Sequence, residues 1–468
     1  MSKNPSFLQI AMLFWVVFFL TGQEGIKAQT PLKPRHYLLS LKDKENSPFS
    51  LDKPSAWLSK RAIEKKNRLK ILPDERDLPV SPAYLDSLHR MGARVLFQSR
   101  WFNSVVVEVA DSLLLQDLSG LSFVKEAEMH YPVRGERKEV VRKPAQPLFR
   151  TNTVLESLRA GWLHEEGFRG ENMWIAVLDG GFFHVDRLAA FDCLREEGRV
   201  VSVKDFVKPG GDVFEEDAHG MQVLSILAGS DDGSLKGTAP RASYVLLRTE
   251  DAGLPEEVVS PESWFEEEAW IAAIEFADSL GVDVVNSSLG YGEFNDSLQN
   301  HAPGHLDGST LRISLAAGMA VEKGMLVVVS AGNEGNKDWK YLLAPADAPG
   351  VLSVGAVNIL GEPSPFSSRG WPHYEYIKPD LAVLGESVPL LDPSGFPGRG
   401  AGTSFSAPLV SGLAACLWQK FPQHKPIQIM EALRQSASHA QFPDSVVGYG
   451  IPDLKKAAEI LSAFNESL

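Results

Sequence analysis

Three side chains in this 468-residue chain have the types and settings that covalent catalysis uses. Asp179 follows the apolar run Ile175-Ala176-Val177-Leu178 and precedes Gly180-Gly181, so its carboxylate stands at the end of a buried strand on a permissive turn. His219-Gly220 opens the apolar stretch Met221–Ala228. A histidine at a helix N-terminus is kept neutral by the positive end of the helix dipole, and a general base must be neutral to accept a proton. Ser404 lies in Gly402-Thr403-Ser404-Phe405-Ser406-Ala407-Pro408, ahead of the apolar helix Leu409–Lys420, with Pro408 suited to that helix's first turn. There backbone N–H groups and the dipole favour a developing negative charge. Singly, each residue has an ordinary structural explanation: a turn aspartate, a capping or core histidine, an N-cap serine. Jointly, a carboxylate, an imidazole and a hydroxyl are what nucleophilic acyl transfer requires.

The elements that must hold them alternate. Residues 174–178, 243–247, 282–286 and 325–329 are short apolar runs that read as buried parallel strands. Helical stretches at Gly220–Ala228, Ser263–Leu280 and Leu311–Lys323 separate them. Strand–helix–strand alternation predicts an α/β domain with a doubly wound parallel sheet, whose ligand sites lie beyond the carboxyl ends of its strands. Ahead of it, residues 29–130 read as a small α+β domain. Strands are expected at 37–41, 93–97, 104–109 and 121–125. A basic helix is expected over Pro54–Lys70, a second from Ser81-Pro82 to Met91 with Ser81 as N-cap, and a third near Asp111–Leu118. That order suits an antiparallel sheet with helices on one face. Residues 131–150 hold Arg134, Arg137, Lys138, Arg142, Lys143 and Arg150 beside three prolines and no apolar period, which marks an exposed linker open to proteolytic processing.

Composition narrows the function. Apolar residues make up 44% and charged residues 23%, ordinary values for folded proteins, so disorder and fibrous repeats are excluded. Net charge is −14, which argues against nucleic acid as a partner. Residues 1–150 carry 24 Lys and Arg against 16 Asp and Glu; residues 151–468 carry 22 against 44. Balances of +8 and −22 on one chain suit a front domain that docks on the rear one. Two cysteines, Cys193 and Cys416, make neither a disulfide framework nor a zinc site. Lys3, the 14-residue apolar stretch Phe7–Leu20 and Ala28 have the order of a secretory signal over residues 1–28. The stretch is shorter than the roughly 20 residues a membrane span needs. The mature protein is therefore expected outside the cytoplasm, secreted or periplasmic, without a membrane anchor.

The order Asp179…His219…Ser404 on a parallel α/β scaffold resembles the subtilisin-like serine peptidases, over residues 170–455. Gly402–Pro408 is similar to the family's G-T-S-x-[SA]-x-P string. The resemblance implies a doubly wound fold of subtilisin type over residues 151–465, preceded by an α+β propeptide domain and ending near Gly448–Asp453. It is similar to secreted members from Bacteroidetes-type bacteria, and a C-terminal sorting or adhesion domain of the kind they often carry is not expected here. It also implies roles. Asp179, His219 and Ser404 form the triad, and Asn333, in Val329-Ser330-Ala331-Gly332-Asn333, donates to the oxyanion with the Ser404 backbone N–H. Ser287, Ser288, Leu289 and Gly290, with Ala331 and Gly332, wall the first specificity pocket and pair with extended substrate. Leu343 sits at that pocket's base and makes it shallow. Ala344-Pro345-Ala346, Phe366–Gly370 and Lys378-Pro379-Asp380 match segments of structural weight. Two positions depart from the family: Gly180, where Thr or Ser is more usual, and Met221, where Thr is.

The expected function is a secreted serine endopeptidase made as an inactive pro-form, a monomer whose partners are protein or peptide substrates and its own propeptide. The alternative is a catalytically idle module of the same fold that binds or chaperones. An esterase is disfavoured, because no Gly-x-Ser-x-Gly surrounds Ser404. No cofactor or metal is expected. The acidic stretch Glu250–Glu268 leaves calcium or a taste for basic substrates open, a solvated acidic face being the weightier reading.

Overall fold

The rear strands are unbroken apolar runs whose successive side chains point to opposite faces, so one sheet can be covered on both. The computed structural model describes residues 35–109, 112–130, 152–229, 235–251, 263–294 and 297–466. The signal segment, the 131–150 linker and residues 252–262 of the acidic stretch lie outside these. Behind the front domain, the short helices α4 (Asn152–Ser157), α5 (Gly161–Glu165) and α6 (Asp192–Glu196) accompany a seven-stranded sheet.

In the front domain, β1 (Arg35–Leu41), α1 (Lys60–Leu69), α2 (Pro82–Arg90), β2 (Arg94–Ser99), β3 (Ser104–Val109), α3 (Ser112–Ser119) and β4 (Val124–His130) follow one another. The strands form an antiparallel sheet in the order β2-β3-β1-β4. Period-two alternation sorts its faces. Tyr37, Leu39, Val105 and Val107 pack under Leu88 and Leu118, whereas Leu38 and Val106 face Phe265 of the rear domain. Three expectations are corrected. The basic helix over 54–70 is broken: a short turn covers Pro54–Ala56, and Ser59 caps a new helix by accepting from Ala62 N at 3.0 Å. Ser81 stands at the N-cap position ahead of Pro82, but its side chain makes no capping bond and its hydroxyl is buried without a hydrogen-bond partner. The last strand is Val124–His130, not 121–125, because Gly120 and Leu121 are bonded back onto the end of α3.

The rear sheet contains β5 (Trp174–Asp179), β6 (Val200–Asp205), β7 (Ser243–Arg248), β8 (Val284–Ser287), β9 (Leu326–Ser330), β10 (Leu352–Val357) and β11 (Leu381–Leu384). Their order is β11-β10-β9-β8-β5-β7-β6, and every pair is parallel. Ile175, Val177, Leu246 and Val328 join one core; Ala176, Leu178, Leu247 and Val329 join the other. The first core is closed by α7 (His219–Ala228), α10 (Thr403–Lys420), α11 (Pro426–Ser436) and α12 (Leu454–Glu466). The second is closed by α8 (Trp264–Leu280) and α9 (Arg312–Glu322). A two-stranded ribbon of β12 (Val388–Leu391) and β13 (Pro397–Gly400) precedes α10. The chain leaves β5 toward β7 and β6 on one side, then returns to β8 on the other. The crevice beyond Asp179 and Ser287 is thus a topological switch point, where an α/β sheet binds ligands.

The front domain seats on α8 and α9 through buried charges. Lys66, 2% exposed, donates to Asp278 Oδ1 at 2.7 Å, and Arg100 donates to Asp278 Oδ2 at 2.5 Å. Arg61 pairs with Asp283, and Glu275 accepts from Ser99 Oγ and from the backbone N–H of Arg100, the latter at 2.7 Å. Lys323 reverses the polarity, donating from the rear domain to Asp74 at 2.9 Å and Asp77 at 2.6 Å. The opposite balances of the two halves therefore meet as specific pairs.

Candidate active site

The residues singled out for chemistry converge on a cleft of about 390 Å³ at the carboxyl edge of the rear sheet. Asp179 is fully buried at the end of β5, and its Oδ1 accepts from Gly180 N at 2.9 Å. The turn that carries it is pinned by Arg248, itself 2% exposed, whose Nε donates to Gly180 O at 2.9 Å. The other guanidinium nitrogens of Arg248 reach Asp205 at 3.2 Å and Asp251 at 2.6 Å. Two glycines let the histidine approach. A Cβ on Gly181 would lie 2.3 Å from Asp217 N, and one on Gly220 would lie 2.3 Å from Gly181 O. With neither present, α7 closes onto the turn and His219 Nδ1 comes to 2.8 Å from Asp179 Oδ1.

The electrostatics of His219 reverse the expectation drawn from the helix dipole. Burial opposes its charge, but the charge and hydrogen bond of Asp179, with the charge of Asp217, outweigh that and raise its pKa to about 9. Two nearby carboxylates win over half a charge at a helix end. Asp217 also accepts from His219 N at 3.0 Å, and burial raises its own pKa. Sequence reading missed Asp217 and Arg248. The Asp-x-His spacing at a helix start carried a signal for Asp217, while Arg248 ends a buried apolar strand and is found only once its carboxylates are placed.

Ser404 is the second residue of α10, which starts at Thr403, six residues earlier than expected. Pro408 accordingly lies inside the helix. It has no N–H for the Ser404 carbonyl four residues back, and Ser288 Oγ donates to that carbonyl instead, at 2.8 Å. The Ser404 hydroxyl donates to Ser288 O at 3.1 Å. The Asn333 amide is oriented by its oxygen, which accepts from Thr403 N at 2.9 Å and Thr403 Oγ1 at 3.1 Å. Its Nδ2 is thereby turned from those donors, beside the start of α10.

Ser288, Leu289, Gly290 and Gly332 line the cleft together with Leu343, Glu250 and Glu334. Ser287 and Ala331 do not. Both are fully buried behind the wall, Ser287 Oγ accepting from Trp270 Nε1 at 2.9 Å and Ala331 N donating to Val354 O at 2.9 Å. Met221 is fully buried in the α7 core, so that departure does not reach the cleft. Gly180 does line it. Cys193 is exposed, Cys416 is buried on α10, and no disulfide joins them. Among the described residues no group of three or more His, Cys, Asp or Glu side chains is placed to hold a metal, and no helix is long and apolar enough to cross a membrane.

Known proteins share this architecture. A model of the subtilase family, peptidase S8, matches residues 170–450, and one of the Bacteroidota peptidase S8 propeptide domain matches residues 36–145. Subtilisin E of Bacillus subtilis is 28% identical over 288 residues, which are 61% of this chain and 65% of that protein. Mycosin-4 of Mycobacterium tuberculosis is 30% identical over 320 residues, 61% of this chain and 64% of that one. The crystal structure of MycP1 from Mycobacterium smegmatis superposes with a TM-score of 0.53 at 25% identity, covering 69% of this chain and 89% of that chain. The chain thus spans somewhat less than two thirds of the length of these two curated relatives. Since the family model extends over the whole seven-stranded sheet and both walls of the cleft, the chain belongs to the subtilase family.

Proposed function

We propose that the protein is a secreted serine endopeptidase, made as a pro-form whose front domain is its propeptide. The observation that carries this reading is the 2.8 Å contact between His219 Nδ1 and Asp179 in a cleft shared with Ser404 and Asn333. With Nδ1 held by the carboxylate, Nε2 is left to act as the base. Rotation of the Ser404 side chain away from Ser288 O hands its proton to Nε2 as the oxygen attacks the scissile carbonyl. Asp179 keeps the imidazole oriented and stabilises its cation. The Ser404 N–H, at the start of α10, and Asn333 Nδ2 donate to the oxyanion. His219 then protonates the leaving amine, and water hydrolyses the acyl-enzyme by the same steps in reverse order. Secretion is supported by the signal-like segment at residues 1–28 and by the Bacteroidota propeptide match.

A catalytically idle binding module is the second reading, favoured by one observation: the Ser404 hydroxyl is bonded to Ser288 O, not to His219. Hydrolysis of a protein substrate by the secreted full chain, beside Ser404→Ala, separates the two. The peptidase reading expects turnover in the wild type alone, with the front domain still attached in the variant if maturation is autocatalytic. Equal absence of turnover in both, after removal of the front domain, would sink it.

A further inference from the structure

The floor of the cleft restricts the substrate in a way the triad does not. In the tetrahedral intermediate three substituents have assigned directions: the Ser404 oxygen, the oxyanion toward Asn333, and the leaving amine toward His219. The fourth, the α-carbon with its side chain, must face the remaining wall. That wall is built from Ser288–Gly290 on one side, Ser330 and Gly332 on the other, and Leu343 below.

Leu343 is fixed at both sides by backbone. Its N–H donates to Ala331 O at 3.2 Å, and the next residue, Ala344, exchanges two bonds of 2.9 Å with Tyr291. Its side chain fills the gap between the walls. A Cβ built on Gly290 would lie 2.8 Å from Leu343 Cβ, one on Gly332 would lie 3.0 Å from Leu343 Cγ, and one on Gly292 would lie 2.6 Å from Leu343 Cδ2. A methyl group added at Gly290 or Gly292 would overlap Leu343 and one at Gly332 would press on it, so the leucine packs closely against both walls. The side chain is only partly buried, so its remaining surface faces the cleft.

We propose that Leu343 makes this site selective for substrates with a small side chain, Gly, Ala or Ser, on the residue whose carbonyl Ser404 attacks. The proposal rests on the peptidase reading above. A benzyl or branched aliphatic group entering from the acyl side meets Leu343, whose backbone is bonded to both walls and whose side chain is packed against Gly290, Gly292 and Gly332. A methyl group fits against it.

The test uses the mature protein from the full chain and two peptide anilides that differ only in Ala or Phe before the scissile bond. Wild type should show kcat/KM at least about 100-fold higher for Ala, and Leu343→Gly should shrink that ratio to about 10-fold or invert it. Should Leu343→Gly fail to fold, Leu343→Ala should move the ratio the same way, and the wild-type ratio stands by itself. Equal turnover of both peptides by wild type, or a ratio unmoved by either variant, would overturn the proposal while leaving the peptidase reading intact. No turnover of either peptide and no labelling of Ser404 by a fluorophosphonate would overturn both.

Discussion

Acidic side chains are buried at two opposite poles of the rear domain, and they are satisfied very differently. Under the front domain, Asp278 receives Lys66 and Arg100 on separate oxygens, and Glu275 receives a hydroxyl and two backbone N–H groups. At the cleft, Asp179 uses one oxygen for both Gly180 N and His219, and its Oδ2 is buried with no protein partner. Asp77 Oδ1 and Asp283 Oδ1 under the front domain are likewise buried without a hydrogen-bond partner, so the poles differ in what counters the charge: lysine and arginine at one, a single histidine at the other. At the first pole fixed charges hold two domains together; at the second the one counter-charge is an imidazole, which can give up its proton.

That contrast predicts how each pole breaks. Ser404→Ala should lower kcat about 10⁶-fold on any peptide substrate, with little change in thermal unfolding. Asp179→Asn should cost about 10⁴-fold in kcat and also leave the fold in place, checked by kinetics and calorimetry on one preparation. At the other pole, Asp278→Ala strands Lys66 and Arg100, and should destabilise the full chain by about 3–5 kcal/mol in urea unfolding, in a Ser404→Ala background that prevents self-cleavage. If Asp179→Asn proved the more destabilising of the two, the contrast would be wrong. Asn333→Ala should reduce kcat by about 10²–10³ with KM nearly unchanged.

Smaller in size, but diagnostic, is the pH dependence. His219 must be neutral to act as a base, and its pKa is raised to about 9. Because the folded value lies above the unfolded value of 6.5, the Asp179–His219 pair stabilises the fold fully below pH 6.5, and this contribution is lost as pH rises through about 9. Activity runs the opposite way: kcat/KM should climb with pH from neutrality and level off only near 9. A profile already flat from pH 6.5 upward would show that Asp179 and Asp217 do not hold the proton on His219.

Much of this was legible in the chain. The central strands announced themselves because a parallel sheet covered on both faces reads as unbroken apolar runs, and β5, β7, β8 and β9 are such runs. β6 was silent because it is an edge strand with exposed positions, and β10 because Gly355 and Ser353 interrupt it. Motif and chain order single out Ser404, His219 and Asp179, which line one cleft in the fold. The neutral state expected of His219 failed because it was argued from one local field, the helix end, when the deciding carboxylates come from a strand 40 residues away and from Asp217 nearby. Opposite net charges foretold docking but not its form. Lys65 and Lys66, adjacent in a basic helix, look like a solvated face, and only the position of α8 makes them buried.

Activation of Ser404 as a nucleophile by His219 and Asp179 is tested by labelling secreted protein with a fluorophosphonate, mapped by mass spectrometry in the wild type and in Ser404→Ala. A single adduct is expected on Ser404 of wild type, none in the variant, and loss of about the first 150 residues from wild type alone when maturation is autocatalytic. Mature wild-type protein that takes up no probe at Ser404 would contradict it, and the cleft would then be a binding site without chemistry.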